Sequence, residues 1–124
     1  MNKREVIQQI QEYLQQELTD APEERKSEIE RLLLVYRFLP ARNLGPEDVI
    51  CPAALVELEL NGQVTFCFIT PQGGGLVTTI GGKPLQVVTP QSPLGEALLG
   101  KKPGETASVE SRQGLRTYRI VSLV

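Results

Sequence analysis

The chain has 124 residues and a formal net charge of −2, a length that suits one domain or one domain with a small appendage. It contains no histidine, which excludes Ser/His and Cys/His catalysis and most zinc sites. The acidic balance does not indicate the basic face with which proteins usually bind nucleic acids. Because no apolar run reaches the roughly 20 residues of a membrane helix and no signal peptide is recognisable, we predict a cytoplasmic protein with no membrane partner.

The two cysteines, Cys51 and Cys67, stand among apolar residues in the segments VICPA and TFCFI. Two cysteines do not form a disulfide framework in such a chain, and a buried cysteine behaves as a small apolar residue. We therefore predict two free structural thiols. The stretch PQGGGL has no following Lys-Ser/Thr pair and does not open a helix, so it is predicted to be a flexible turn rather than a phosphate-binding loop. No cofactor is expected.

The distribution of glycine divides the chain in two. The first 39 residues contain none, and the remaining 85 hold all 11. This shift marks a boundary between Pro40 and Gly45. We predict a short helical hairpin at 1–40, a linker at 41–48 and a second domain at 49–124.

The first segment predicts an amphipathic helix. Val6, Ile10, Leu14 and Leu18 recur every four residues, which places them on one face of a helix. Polar residues cover the opposite face, and the pattern breaks between Leu18 and Pro22. A helix followed by a break and a second helix indicates an antiparallel hairpin.

The second helix is predicted to run to about Phe38, where Pro40 stops it. Asp20 has the character of an N-cap residue, and Glu23 stands three positions later as its capping-box partner. Pro22 is tolerated in a first helical turn. The C-terminal end of this helix is apolar on several sides, so we expect it to pack on the second domain as well as on the first helix.

The second domain reads as strands joined by turns. The segment ALVELEL alternates apolar and polar residues, and Asn61-Gly62 after it is a strong hairpin signal. Ser92 is a good N-cap, Pro93 suits the first helical position, and Gly100 follows the predicted end of a short helix. The predicted elements are strands at Ala54–Leu60, Val64–Thr70, Leu76–Ile80 and Gln86–Thr89, a helix at Ser92–Leu99, and strands at Thr106–Glu110 and Leu115–Val124.

The segment SPLGEALLGKKPGETASVESRQGLRTYRI, residues 92–120, resembles the C-terminal domain of bacterial Gre transcript-cleavage factors. That family typically reads Ser-Pro-Leu-Gly-x-Ala-Leu-Leu-Gly-Lys, followed by a charged run, Gly-Asp, a strand, a Gly turn and a Tyr-x-Ile strand. Gly104-Glu105 stands here for Gly-Asp, and Pro52-Ala53 replaces a usual Gly-Ser upstream. The residues that match in register are Ser92, Pro93, Leu94, Gly95, Ala97, Leu98, Leu99, Gly100, Lys101, Gly114, Tyr118 and Ile120.

The resemblance implies an α+β fold, with the helical hairpin followed by an FKBP-like curved antiparallel sheet around one short helix. It also implies a partner, RNA polymerase, at the rim helices of its secondary channel. Carried over by position, the contact residues are Ser92 and Pro93, with Gln91 where the family often has Asp. Glycine costs about 1 kcal/mol inside a helix relative to Ala, so Gly95 predicts a close backbone or partner approach.

Gre factors carry a long N-terminal coiled coil whose acidic tip helps to hold a catalytic magnesium ion. The predicted tip of this hairpin has Asp20, Glu23 and Glu24. Its first helix, however, is predicted at about 15 residues, roughly 22 Å at 1.5 Å per residue and about half the family's length, and the usual tip sequence is absent. Two interpretations stay open: the acids cap the second helix, or they contact the interior of the polymerase.

A Gre-like domain with a short hairpin is similar in layout to the regulator of nucleoside diphosphate kinase, a Gre paralogue. We therefore predict a non-enzymatic transcription regulator, monomeric or weakly dimeric, which binds RNA polymerase without stimulating cleavage and competes with Gre factors. Two alternatives remain. One is an adaptor or dimerisation module that uses the Leu-rich second helix. The other is a prolyl isomerase, as in FKBP enzymes, although Phe66 and Phe68 share a strand face and are expected in the core.

Overall fold

The computed structural model describes residues 2–39, 42–45 and 47–124. The predicted order of elements and the α+β class are confirmed. The elements are the helices α1 (Lys3–Asp20), α2 (Glu23–Arg37) and α3 (Pro93–Leu98), and the strands β1 (Leu55–Leu60), β2 (Gln63–Ile69), β3 (Val77–Ile80), β4 (Lys83–Val88), β5 (Thr106–Ser111) and β6 (Gly114–Leu123). In the part of the chain described, no helix has the length and apolar character needed to span a membrane.

The six strands form one sheet in the order β3-β4-β2-β1-β6-β5. Four neighbouring pairs are antiparallel, but β2 and β4 run parallel. The expectation of a wholly antiparallel sheet was therefore wrong at this pairing, and the sheet is mixed. The reason is that β3 forms a hairpin with β4 at the sheet edge, so that β4 returns in the direction of β2. The connection from Ile69 to Lys83 is long enough for the crossover that parallel neighbours require.

Apolar side chains cover both faces of the sheet, and each face has its own core. The helical hairpin packs on one face, where Phe66 and Phe68 lie as their spacing predicted. Helix α3 packs on the other through Leu94 and Leu98, with Ala97 at its margin. The first core comprises Val6, Ile7, Ile10, Leu14, Ile29, Tyr36, Ala53, Leu55, Phe66, Phe68, Ile80, Leu85 and Val87.

The end of α2 is fastened to the sheet by a buried hydrogen bond. Tyr36 Oη donates to Thr70 Oγ1 at 2.7 Å, and burial of the phenol raises the pKa of Tyr36. At the start of α1, the buried Lys3 donates from Nζ to the Arg42 carbonyl oxygen at 2.8 Å. Helix α2 thus packs on the second domain, as its apolar end predicted. Because hairpin and sheet share one core, the division at 1–40, 41–48 and 49–124 stays a prediction.

The predicted cap of α2 was wrong. Asp20 is the last residue of α1, and Pro22 occupies the N-cap position, where the Arg25 amide bonds to the Pro22 carbonyl oxygen at 2.9 Å. Only Ala21 and Pro22 separate the two helices, so α1 continues two residues beyond the predicted break and uses Asp20 itself. At the other end α2 stops at Arg37, with Phe38 as its cap. Pro40, the predicted stop, lies outside the described residues.

The burial of Cys67 leads to a testable prediction about the free energy of unfolding at high pH. Both cysteines are free, and burial raises the pKa of Cys67 to about 12 from its ordinary 9.0. The unfolded thiol therefore ionises first as the pH rises. The contribution of the buried thiol to the free energy of unfolding should be fully present below pH 9. Above pH 9 it should fall by about 1.4 kcal/mol per pH unit, until the folded thiol ionises near pH 12.

Denaturant unfolding of wild type and Cys67→Ala, compared from about pH 8 to about pH 11, measures this contribution. The variant should lose that part of the pH dependence, whereas the half-buried Cys51 provides the control Cys51→Ala, which should retain it. Parallel curves for wild type and Cys67→Ala would contradict the assignment. The substitution also lowers stability by a constant amount at every pH, because it removes a buried sulfur atom. Comparing the slopes of the free energy of unfolding against pH eliminates this constant.

Candidate partner-binding site

The start of α3 is held by a compact set of hydrogen bonds. Ser92 Oγ accepts from the Gly95 amide at 3.1 Å and donates to the Thr89 carbonyl oxygen at 2.7 Å. The Ser92 amide donates to that same oxygen at 3.1 Å. The Ser92 N-cap and the Pro93 first position are confirmed. We call residues 89–95 the α3 corner.

Gly95 has no side chain because the backbone of Thr89 occupies the space. A Cβ built on Gly95 would overlap the Thr89 carbonyl oxygen and lie 2.9 Å from the Thr89 carbonyl carbon. The close backbone approach inferred from the sequence is therefore present within the chain. Gly95 is buried, so it shapes the corner and presents little surface of its own.

The predicted contact residues differ in exposure. Gln91 and Pro93 are exposed, and Ser92 is half-buried because its hydroxyl is engaged at the helix start. The structure thus brings the predicted residues together on one turn, with Gln91 and Pro93 presenting the accessible surface. The assignment of a partner to this surface stays a prediction.

The far end of α3 is tied to the segment that precedes β1. The Gly100 amide donates to the Ile50 carbonyl oxygen at 2.9 Å, and the Ile50 amide donates to the Lys101 carbonyl oxygen at 2.8 Å. Beyond it, Glu105 Oε1 accepts from the Lys102 amide at 2.8 Å and closes a turn. The acid in the Gly104-Glu105 pair therefore acts as a local cap. Both ends of α3 are thus held by hydrogen bonds to neighbouring segments.

The hairpin tip presents its three predicted acids to solvent. Asp20, Glu23 and Glu24 are all exposed. Glu23 Oε1 pairs with Lys26 Nζ at 3.3 Å, and next to the tip Glu17 pairs with Arg25 at 3.0 Å. These exposed pairs contribute little to stability, but they offset part of the negative charge. Within residues 2–39, 42–45 and 47–124, no group of three or more His, Cys, Asp or Glu is placed to hold a metal ion.

The sequence analysis missed two residues that shape the corner and one that ties α2 to the sheet. Thr89 supplies the central carbonyl oxygen, and Gly74 approaches it so closely that a Cβ there would lie 2.9 Å from Thr89 Cγ2. Thr70, predicted only as the end of a strand, is fully buried and bonded to Tyr36. A backbone oxygen leaves no sequence signal. Gly73 and Gly74, however, are closely packed against Leu32 and Thr89, in a stretch that was interpreted as a flexible turn.

Part of the chain matches a known protein family. Residues 82–123 match the family model for the C-terminal domain of the transcription elongation factors GreA and GreB. This segment contains the whole α3 corner from residue 89 onward and the strands on either side of it. No curated protein sequence matches the chain.

Solved structures with a similar fold include GreA factor homolog 1 (Gfh1) of Thermus thermophilus and Gfh1 of Thermus aquaticus. They are 24% and 21% identical to this chain, each with a TM-score of 0.52, over 98% of this chain and 87% and 86% of their own. At this identity the likeness shows the fold. The family-model match covers only residues 82–123, so it shows that this part of the chain is similar to the C-terminal domain of Gre factors.

Replacing Gly95 tests the packing of the corner. Inside an ordinary helix Gly→Ala stabilises by up to about 1 kcal/mol. At Gly95 the added methyl group would meet the Thr89 carbonyl, so Gly95→Ala should instead lower the free energy of unfolding by about 1–3 kcal/mol. Denaturant unfolding provides the measurement, with Glu96→Ala at the exposed neighbouring position as the control. A Gly95→Ala protein as stable as wild type would show that the corner yields easily.

Proposed function

We propose that this protein regulates transcription by binding RNA polymerase at the rim of its secondary channel through the α3 corner, without stimulating transcript cleavage. The observation that carries the proposal is the family-model match over residues 82–123, which includes the corner. Within it, Gln91 and Pro93 are exposed on a turn whose shape is held by the Ser92 and Thr89 bonds. A rigid, exposed turn is well suited to protein recognition, because little conformational entropy is lost on binding.

The hairpin supports the second half of the proposal. Helix α1 has 18 residues, about 27 Å at 1.5 Å per residue, against the longer coiled coil of Gre factors. Its apolar face is buried on the sheet through Val6, Ile10 and Leu14 rather than projecting from the domain. Glu23 is paired to Lys26, whereas Asp20 and Glu24 stay exposed at the tip, so it is the reach of the hairpin, and not a lack of carboxylates, that disfavours cleavage. A protein of this shape would occupy the rim and exclude Gre factors.

Binding and cleavage can be tested separately. The purified protein should co-elute with core RNA polymerase, be displaced by a Gre factor, and leave transcript cleavage in a stalled complex unstimulated. Failure to bind core polymerase would end the proposal. Cleavage stimulation that is lost in Asp20→Asn or Glu24→Gln would refute only its second half and would return a catalytic role to the tip.

Gln91 offers a sharper test of where the contact lies. Gre factors often have Asp at this position, so Gln91→Asp adds a carboxylate on the exposed surface of the corner. It should raise the affinity for core polymerase about fivefold, the equivalent of roughly 1 kcal/mol from a charge-assisted contact. Titration of labelled protein with polymerase measures the change.

The matched control is Gln63→Asp. Gln63 is also exposed, but it begins β2, whereas the corner lies beyond the opposite end of that strand. Six residues at 3.3 Å each place it about 20 Å from the Ile69 end. Equal gains in both variants would indicate a general effect of charge, and the corner would then lose its role.

A second candidate function, self-association, is favoured by the outer face of α2. Leu34 is 55% exposed and Phe38 is 77% exposed, four positions apart and therefore on one side of the helix. A second copy packed there would give a weak dimer, which light scattering would detect and Phe38→Ser would abolish. No observation supports prolyl isomerase activity, because the hairpin covers Phe66 and Phe68, the aromatic side chains that could line a pocket.

A further inference from the structure

We propose that the glycine-rich loop is a positioning element that sets the geometry of the α3 corner according to how α2 packs on it. We define the glycine loop as residues 70–76. As far as the corner's role in polymerase affinity is concerned, the inference rests on the function proposed above. The mechanical link itself is a property of the isolated protein and can be measured without a partner.

The first contact in this link joins α2 to the loop. A Cβ on Gly73 would lie 2.7 Å from Leu32 Cδ2 and 3.1 Å from Leu32 Cδ1. The Leu32 side chain therefore rests directly on the Gly73 backbone. Nearby, Thr70 Oγ1 accepts from Tyr36 Oη at 2.7 Å and donates to the Gln72 carbonyl oxygen at 2.8 Å. One apolar and one polar contact thus connect α2 with the loop.

The second contact joins the loop to the corner. A Cβ on Gly74 would lie 2.9 Å from Thr89 Cγ2 and 3.0 Å from the Thr89 amide nitrogen. The loop is also bonded to β4, the strand that leads into the corner, since the Thr70 amide donates to the Val88 carbonyl oxygen and the Gly75 amide to the Val87 carbonyl oxygen, each at 2.8 Å. These bonds hold the loop against the end of β4. A displacement at Gly73 should therefore move Thr89, because the loop is not free to shift towards solvent instead.

The third contact lies inside the corner. The carbonyl oxygen of Thr89 accepts both hydrogen bonds of Ser92 and fills the space next to Gly95. A shift of Thr89 must therefore move the start of α3 or break its cap. The close contacts form a continuous series from the hairpin to the predicted contact surface, through Leu32, Gly73, Gly74, Thr89 and Ser92. Close packing of this kind transmits small displacements, and the variants below measure the coupling that such a series alone does not prove.

Two glycines in the same loop allow a matched comparison. Gly73 and Gly75 both have positive φ, 78° and 107°, so alanine is strained at each. Only Gly73 faces Leu32, whereas a Cβ on Gly75 would meet no described atom within 4 Å. Gly73→Ala should shift the backbone amide resonances of Ser92 and Gly95 and increase the hydrogen exchange of the Gly95 amide about tenfold, within the range of coupling between contacting residues. Gly75→Ala should leave both unchanged.

The double variant Leu32→Ala/Gly73→Ala completes the cycle. Removing the Leu32 side chain makes room for the new methyl group, so the Gly95 exchange rate should return towards that of Leu32→Ala alone. If Gly73→Ala does not fold, Leu32→Ala carries the test: it should shift the Gly95 resonance but not that of Gln63, which lies about 20 Å from the Ile69 end of β2. Equal effects of Gly73→Ala and Gly75→Ala, or an unmoved corner in Leu32→Ala, would overturn the inference.

Polymerase binding separates this inference from the proposed function. In a protein that binds core polymerase, Gly73→Ala should weaken binding in proportion to the change at Gly95. A wild-type protein that fails to bind polymerase, but whose corner responds to Gly73→Ala, would refute the function and support the positioning role. A protein that binds, but whose corner does not respond, would do the reverse.

Discussion

The carbonyl oxygen of Thr89 is the constraint around which the candidate site is arranged. It accepts from both the amide and the hydroxyl of Ser92, and it leaves no room for a side chain at Gly95. This one oxygen satisfies two donors of Ser92 and also excludes a side chain at Gly95. The backbone of the corner must meet both conditions at once, which restricts its conformation. The exposed positions of Gln91 and Pro93 are consequences of that conformation. The exposed surface of the corner is in this way determined by a main-chain atom of the half-buried Thr89.

The sheet separates the packing of the hairpin from the packing of the site. One face is covered by α1 and α2 and the other by α3, so the two cores are divided by a single layer of strands. The loop between β2 and β3 passes from one region to the other, since Gly73 lies against Leu32 and Gly74 against Thr89. The lack of side chains in this loop thus serves close packing on two sides, where a larger residue would force the layers apart.

The sequence was sufficient for features that depend on neighbouring residues and insufficient for those that depend on distant ones. The predicted Asn61-Gly62 hairpin turn is present, with positive φ at both positions, and the Ser92-Pro93 helix start follows from local capping chemistry. Periodicity identified the buried faces of β1 and β2, but it carries no information about which strands are neighbours, so the parallel pairing of β2 and β4 was missed. The Tyr36–Thr70 hydrogen bond joins residues 34 positions apart, and the sequence around neither residue contains a pattern that predicts it. Asp20 was wrongly predicted as the N-cap of α2 because the two helices are nearly contiguous. The helical conformation of α1 extends through Asp20, and the N-cap position of α2 falls on Pro22.

The shared core of hairpin and sheet has a consequence for synthesis on the ribosome. The two helices come first in the chain, but the partners of Val6, Ile10 and Tyr36 include Phe68 and Val87, which are made later. A helical pair of this length has little stability without such partners. We therefore expect the nascent hairpin to keep its apolar side uncovered until β4 has left the exit tunnel, and to be a substrate for ribosome-associated chaperones during that interval.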